Sequence, residues 1–221
     1  MATNKSLKTV VITGAGSGIG LDTAKLLHET GGYRVVLISR DGDKLKAAAK
    51  EMGGPSDAVL PMECDLRDSK QIKKAVEKIT ATHKAIYGLV NNAGVYPFGG
   101  LAATTEAIWN EAMDVNLKAP FLFTQALVPF LAKSTDGARI VNVSSTAGLL
   151  PNHFAMAYSI SKAALIHMTR TLAKELGKDG ITVNCVCPGI VKTPLHEAYQ
   201  SKSELENFYA KRGATFPLGR V

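Results

Sequence analysis

Cysteine is scarce in this chain of 221 residues: Cys64, Cys185 and Cys187 are the only three, an odd number that argues against a disulfide framework. The Cys-x-Cys pair lies in an apolar run with no second pair of ligands to complete a zinc site. All three therefore read as small buried hydrophobes in a reducing compartment, and no metal is expected. Long apolar runs are missing too. No window holds the roughly 18 uncharged apolar residues that a membrane span requires, and residues 1–8 are polar, without the apolar core of a signal peptide. The cytosol is the expected address, with no membrane partner. Aromatic residues make up only 6% of the chain and are not interleaved with the basic ones. The net charge of +7, from 26 Lys and Arg against 19 Asp and Glu, therefore reads as a solvated basic surface suited to an anionic small molecule. Nucleic acid is not an expected partner.

In place of these the chain has a regular alternation of β-branched runs and amphipathic stretches. Residues 8–12, 34–38, 58–62, 86–90, 138–143 and 181–186 read as buried strands. Helical spacing covers 21–29, 43–52, 69–82 with Ser69 as its N-cap, two patterns within 105–132, and 157–176. This order predicts one α/β domain over residues 1–221: a doubly wound parallel sheet with helices on both faces, right-handed crossovers, and ligands at the carboxyl ends of the strands. Residues 193–221 break the alternation. A charged helical segment at 203–211, followed by Phe216-Pro217-Leu218-Gly219, is expected to form a mobile flap over the cleft.

The first strand runs into Thr13-Gly14-Ala15-Gly16-Ser17-Gly18-Ile19-Gly20, and a helix follows. Glycines let backbone approach a phosphate closely, and a helix N-terminus offers unpaired N–H groups with partial positive charge. The stretch looks like a dinucleotide phosphate cradle. Far along the chain, Tyr158 and Lys162 stand one helical turn apart, and Ser145 lies at the carboxyl end of the fifth strand. Hydride arriving at a carbonyl carbon leaves an alkoxide that needs a proton. A phenol with an ordinary pKa of about 10 can act as acid–base near neutral pH only if a cation stabilises its phenolate. Lys162 supplies that cation, and Ser145 a hydrogen bond to the oxygen on which charge develops.

Together these motifs resemble the short-chain dehydrogenase/reductase family in its short single-domain form, over essentially all of residues 7–195. The family's T-G-x-x-x-G-x-G is matched by Thr13, Gly14, Gly18 and Gly20, and its N-N-A-G by Asn91, Asn92, Ala93 and Gly94. Its catalytic Asn is matched by Asn116, its Ser and Tyr-x-x-x-Lys by Ser145, Tyr158 and Lys162, and its later Pro-Gly by Pro188 and Gly189. The resemblance implies a Rossmann-like fold and hydride transfer with NAD(P). Tyr158 would be the acid–base, with Lys162 lowering its pKa and binding the nicotinamide ribose. Ser145 would orient the carbonyl and Asn116 would hold a water in a proton relay to Lys162. Gly16, Ser17 and Ile19 would complete the cradle, Asn92, Ala93 and Gly94 would face the cofactor, and Pro188, Gly189, Ile190 and Thr193 would contact its nicotinamide side. Asp65 and Leu66 resemble the pair beside the adenine ring, although Asp65 reads equally as a loop carboxylate satisfied by backbone N–H groups.

Ser39 and Arg40 stand where an acidic residue would select NAD, and a hydroxyl with a guanidinium suits a 2′-phosphate, so NADP(H) is expected over NAD(H). The segments after Gly94 (Val95, Tyr96, Pro97, Phe98), between Ser145 and Tyr158 (including Leu149, Leu150 and Phe154) and after Gly189 (Ile190, Leu195) read as mostly apolar cleft walls. They suit an apolar ketone or a 3-oxoacyl compound; His153 reads as an exposed loop histidine. Within the family the chain is similar to 3-oxoacyl thioester reductases and carbonyl reductases, which makes an acyl carrier protein a candidate partner. The alternatives are an NAD-dependent alcohol or steroid dehydrogenase, which shares all but the Ser39-Arg40 logic, and a non-catalytic nucleotide-binding redox sensor, disfavoured because Tyr158 and Lys162 are both present. The family usually continues past the motif matched by Pro217, Leu218, Gly219 and Arg220 into another helix and a last strand, which this sequence does not contain. The sixth strand is therefore expected to be an exposed edge, and the homodimer or homotetramer habit of the family to require that C-terminus.

Overall fold

The β-branched runs become strands because each offers an uninterrupted apolar face to a helical layer: β1 (Lys8–Thr13), β2 (Tyr33–Ser39), β3 (Val59–Glu63), β4 (Gly88–Asn91), β5 (Ala138–Val143) and β6 (Ile181–Val186). The structure, a computed structural model, describes residues 7–197 and 199–221; the polar residues 1–6 and Ala198 of the C-terminal segment lie outside them. All pairings are parallel, in the order β3-β2-β1-β4-β5-β6. The winding direction reverses between β1 and β4, which opens a crevice at their carboxyl ends. The helices are α1 (Gly18–Glu29), α2 (Gly42–Glu51), α3 (Ser69–Thr82), α4 (Glu106–Met113), α5 (Ala119–Leu131), α6 (Met156–Leu176) and α7 (Lys202–Gly213), with a π-helical turn, Asp114–Lys118, joining α4 to α5.

Strand side chains alternate between two cores. Val11, Val36 and Ile38 pack with Ile72, Val76 and Ile79 of α3 and Phe123 and Leu127 of α5. Val10, Ile12, Val35 and Leu37 pack on the other face with Ala24 of α1 and Leu45 and Ala49 of α2. Phe123, Ile12 and Leu37 are among the largest side chains wholly withdrawn from water, and truncating any of them to Ala would cost about 3 kcal/mol or more. Among the described residues no helix is long and apolar enough to cross a membrane.

Three local expectations change. The cap of α3 is Asp68 rather than Ser69: its carboxylate accepts the N–H of Lys70 at 2.8 Å and of Gln71 at 3.4 Å, and Ser69 becomes the first helical residue. A carboxylate at the positive end of a helix outcompetes a hydroxyl one residue later. Of the cysteines only Cys64 is buried; Cys185, on β6, which among the described residues pairs with β5 alone, and Cys187, just past that strand, are half-buried. The helix in the C-terminal segment is longer than its charged pattern suggests, running to Gly213 from a capping box in which the Ser201 N–H donates to Glu204 Oε2 at 2.8 Å.

Candidate active site

β1 ends where its turn is pressed against the loop leaving β4. The Thr13 hydroxyl accepts the N–H groups of Asn92 at 3.0 Å and Ala93 at 3.1 Å, and Asn92 Nδ2 donates back to the Thr13 carbonyl at 2.9 Å. Gly14 has φ +67°, and a Cβ there would lie 2.8 Å from Ala93 Cα, so only glycine closes this junction. A Cβ at Gly16 would come within 3.3 Å of Ser39 Oγ, so its absence keeps the space beside Ser39 open. No side chain caps the N-terminus of α1, leaving its first N–H groups facing the crevice. A cradle without side chains and an uncapped helix end together fit a pyrophosphate. Gly14, Gly16, Ser17, Gly18 and Ile19 line the resulting cavity; Thr13 and Gly20 stand behind it as braces.

Beyond the cradle, Ser39 and Arg40 line the cavity, with Lys44 of α2, a cation absent from the sequence reading. The neighbouring Asp41 lines the cavity too, while its carboxylate accepts the N–H groups of Asp43 at 3.1 Å and Lys44 at 3.0 Å. The Asp65 carboxylate is held by the Arg67 side chain, with Nε 3.0 Å from Oδ1, and by the Arg67 N–H at 3.0 Å. That guanidinium holds the carboxyl below the usual carboxylate range. The carboxylate is thus satisfied chiefly by a guanidinium and only once by backbone, and Asp65 and Leu66 line the cavity.

At the other end, the loop after β5 is locked to α6. Ser144 Oγ donates to the Lys162 carbonyl at 2.8 Å and Ser159 Oγ to the Ala147 carbonyl at 2.5 Å. A Cβ on Gly148 would lie 2.7 Å from the Lys162 carbonyl carbon, so a larger residue would force the loop away. These contacts bring Ser145, Tyr158 and Lys162, exposed by only 9%, 6% and 4%, into one cavity of about 1390 Å³ that also contains the cradle. Lys162 Nζ donates to the Val143 carbonyl at 2.8 Å and lies 5.8 Å from the centroid of the Tyr158 ring. Burial pulls the Lys162 ammonium down to about 8. Burial also pushes the Tyr158 phenol up, opposed by a hydrogen bond with Ser145. For the phenol burial dominates, and the ammonium is engaged by a carbonyl.

Asn116, in the π-helical turn, is wholly buried and does not line the cavity. Its Oδ1 accepts the Val95 N–H at 2.9 Å, while Nδ2 donates to the Val95 carbonyl and to Ser161 Oγ, both at 3.0 Å. With both amide hydrogens engaged, no side-chain donor remains for a relay water, and the residue clamps the segment that follows Gly94. Asn91 braces the strands below: its Nδ2 donates to Asn142 Oδ1 at 2.8 Å, and Asn142 Nδ2 to Thr169 Oγ1 at 2.9 Å.

Ala93 and Gly94 line the cavity together with Asn92, as do Pro188, Gly189, Ile190 and Thr193. Of the expected substrate walls, Val95, Tyr96, Phe98, Leu150, Phe154 and Leu195 line it, whereas Pro97 and Leu149 do not. His153 is exposed and stacks on Phe154, its ring centroid 3.8 Å away. His196, Tyr199 and Phe208 of the C-terminal segment also line the cavity. Sequence reading missed them, although the recurrence of aromatic residues between positions 196 and 209 was a signal that the segment had an apolar face to bury.

Comparison with known proteins agrees with this geometry. A family model described as short chain dehydrogenase matches residues 8–204. The 3-oxoacyl-[acyl-carrier-protein] reductase FabG of Thermotoga maritima is 39% identical over 213 residues, covering 96% of this chain and 84% of the relative. A crystal structure of a short-chain type dehydrogenase/reductase from Mycobacterium marinum superposes with a TM-score of 0.87 at 30% identity, covering 98% of this chain and 84% of that one. A metagenomic short-chain oxidoreductase in complex with NADP gives a TM-score of 0.78 at 37% identity, covering 86% of this chain and 84% of the other.

Proposed function

Because the chain belongs to the short-chain dehydrogenase/reductase family, whose oxidoreductases use a nicotinamide cofactor, we propose that it reduces the carbonyl of a mainly apolar ketone or 3-oxoacyl compound with NADPH, Tyr158 being the proton donor. When bound, NADPH supplies the hydride. Gly14, Gly16, Gly18 and the open end of α1 would hold its pyrophosphate, Ser39, Arg40 and Lys44 its 2′-phosphate, and Pro188 and Gly189 its nicotinamide side. Ser145 Oγ donates to the substrate carbonyl, and Tyr158 Oη passes its proton to the oxygen as charge builds there. A phenol pushed up by burial carries its proton at neutral pH, which suits the reductive direction. The phenolate it leaves is stabilised by the Lys162 ammonium across the ring and by Ser145.

The observation that carries this reading is the meeting of Ser145, Tyr158 and Lys162 in the cavity that holds the glycine cradle. The printed name of the Thermotoga maritima relative favours 3-oxoacyl thioesters within the class, and with them an acyl carrier protein as donor of substrate. The test is turnover of acetoacetyl thioesters, quinones, diketones and ketosteroids, followed by loss of reduced-nicotinamide absorbance with NADPH and with NADH. Consumption of NADPH with a member of the panel is expected. No consumption at all, or a preference for NADH, overturns the reading.

A further inference from the structure

Tyr96 stands between two side chains with different uses for a ligand. Its ring packs edge-on against Tyr158, with 4.5 Å between centroids, and against His196, with 4.9 Å. The His196 imidazole also packs against Phe208 at 5.9 Å and Tyr209 at 6.5 Å, and it lines the same cavity as Tyr158. Among the described residues, no hydrogen-bond partner takes either ring nitrogen of His196. Burial holds the imidazole below its ordinary pKa, so at neutral pH it is uncharged and keeps one N–H donor and one bare acceptor. The hydroxyl of the neighbouring Tyr96 is already engaged by Asn152 Nδ2 at 3.2 Å. Half-buried in the cavity wall, the imidazole keeps its donor for a ligand. Tyr96 touches both the Tyr158 ring and this imidazole, and all three line one cavity with Ser145.

We infer that His196 is a specificity-determining residue that hydrogen-bonds a second carbonyl oxygen of the substrate, so that compounds with two neighbouring carbonyl groups, such as 3-oxoacyl thioesters, are preferred over single ketones of similar length. The inference rests on the reductase reading above. The imidazole N–H donates to the thioester oxygen while the keto oxygen sits with Ser145 and Tyr158. A single ketone has no second oxygen to accept from the imidazole, so only the dicarbonyl compound gains this hydrogen bond.

The experiment compares acetoacetyl-N-acetylcysteamine with 2-nonanone, using the full chain at saturating NADPH. His196→Phe keeps the aromatic packing and removes both nitrogens; His196→Gln keeps a side-chain N–H donor. The Phe variant should raise KM for the thioester about tenfold, with kcat and the constants for the ketone within about twofold. The Gln variant should recover most of the loss. Equal losses on both substrates, no loss on either, or no recovery with Gln overturns the inference. If the wild type consumes NADPH with neither compound, the reductase reading has failed on these substrates, and calorimetric binding of the thioester in the presence of NADP⁺ decides this point separately. Binding to the wild type about fivefold or more tighter than to His196→Phe supports it, and equal or absent binding overturns it.

Discussion

At the glycine cradle the working surface is backbone: glycines with no Cβ and the first N–H groups of α1. At the reactive end it consists of side chains, Ser145, Tyr158 and Lys162, each less than a tenth exposed and brought together from two elements. Backbone recognises charge through a local turn, so the first end depends on a dozen consecutive residues keeping their conformation. Buried side chains work only in register, so the second depends on Ser144, Ser159 and Gly148 holding a loop against a helix. One end can be damaged without the other, and that separation is open to test.

Tyr158→Phe should strike the reactive end alone: kcat falls about a thousandfold, while NADPH affinity, read by nucleotide fluorescence, is unchanged. Near wild-type turnover would remove the acid–base role, and a parallel loss of nucleotide affinity would erase the distinction between the ends. Lys162→Met probes the cost of a buried ammonium. With a folded pKa of about 8 against an ordinary 10.5, the unfolded chain holds more protons between these values, so wild-type stability should rise with pH through that window. Relative to the Met variant the gain should be on the order of 2 kcal/mol between about pH 7 and pH 10, measured by urea unfolding at each pH. A flat difference would mean that the ammonium is solvated.

Thr13→Val acts on the brace behind the cradle. It leaves the Asn92 and Ala93 N–H groups without their acceptor and should cost about 2 kcal/mol in urea unfolding. Nucleotide affinity should weaken with it, while kcat at saturating NADPH stays within about twofold. The smallest effect belongs to Arg40→Ala, which should weaken NADPH binding about tenfold and leave NADH unaffected. Equal change for both nucleotides would sever Arg40 from the 2′-phosphate.

The strands and the cradle are legible in the sequence because β-branched runs, helical spacing and a glycine turn are local patterns. Tyr158 and Lys162 are legible for the same reason, one turn apart on one helix. What spacing does not reveal is which polar atoms are already engaged. The Asp65 carboxylate holds Arg67 and Asp41 caps α2, partners two or three residues away, while the Asn116 amide clamps Val95 from the next stretch of chain; a residue list leaves all three open. Asp68 displaces Ser69 as a cap because two competent caps stand side by side. His196 and Lys44 stay hidden for the opposite reason, since their significance comes from residues far away in sequence that only the fold brings near.

The Gly148 contact divides the loop after β5 into a fixed base and a free tip. Gly148 lies against the main chain of α6 with no room for even a methyl group, whereas Leu149, Leu150 and Phe154 are 58%, 69% and 66% exposed. Insertions or randomised libraries aimed at enlarging the substrate range should therefore begin after Gly148. The same changes a few positions earlier would pull the serine hydroxyl out of line with the phenol and abolish turnover while the protein still folds and binds its nucleotide.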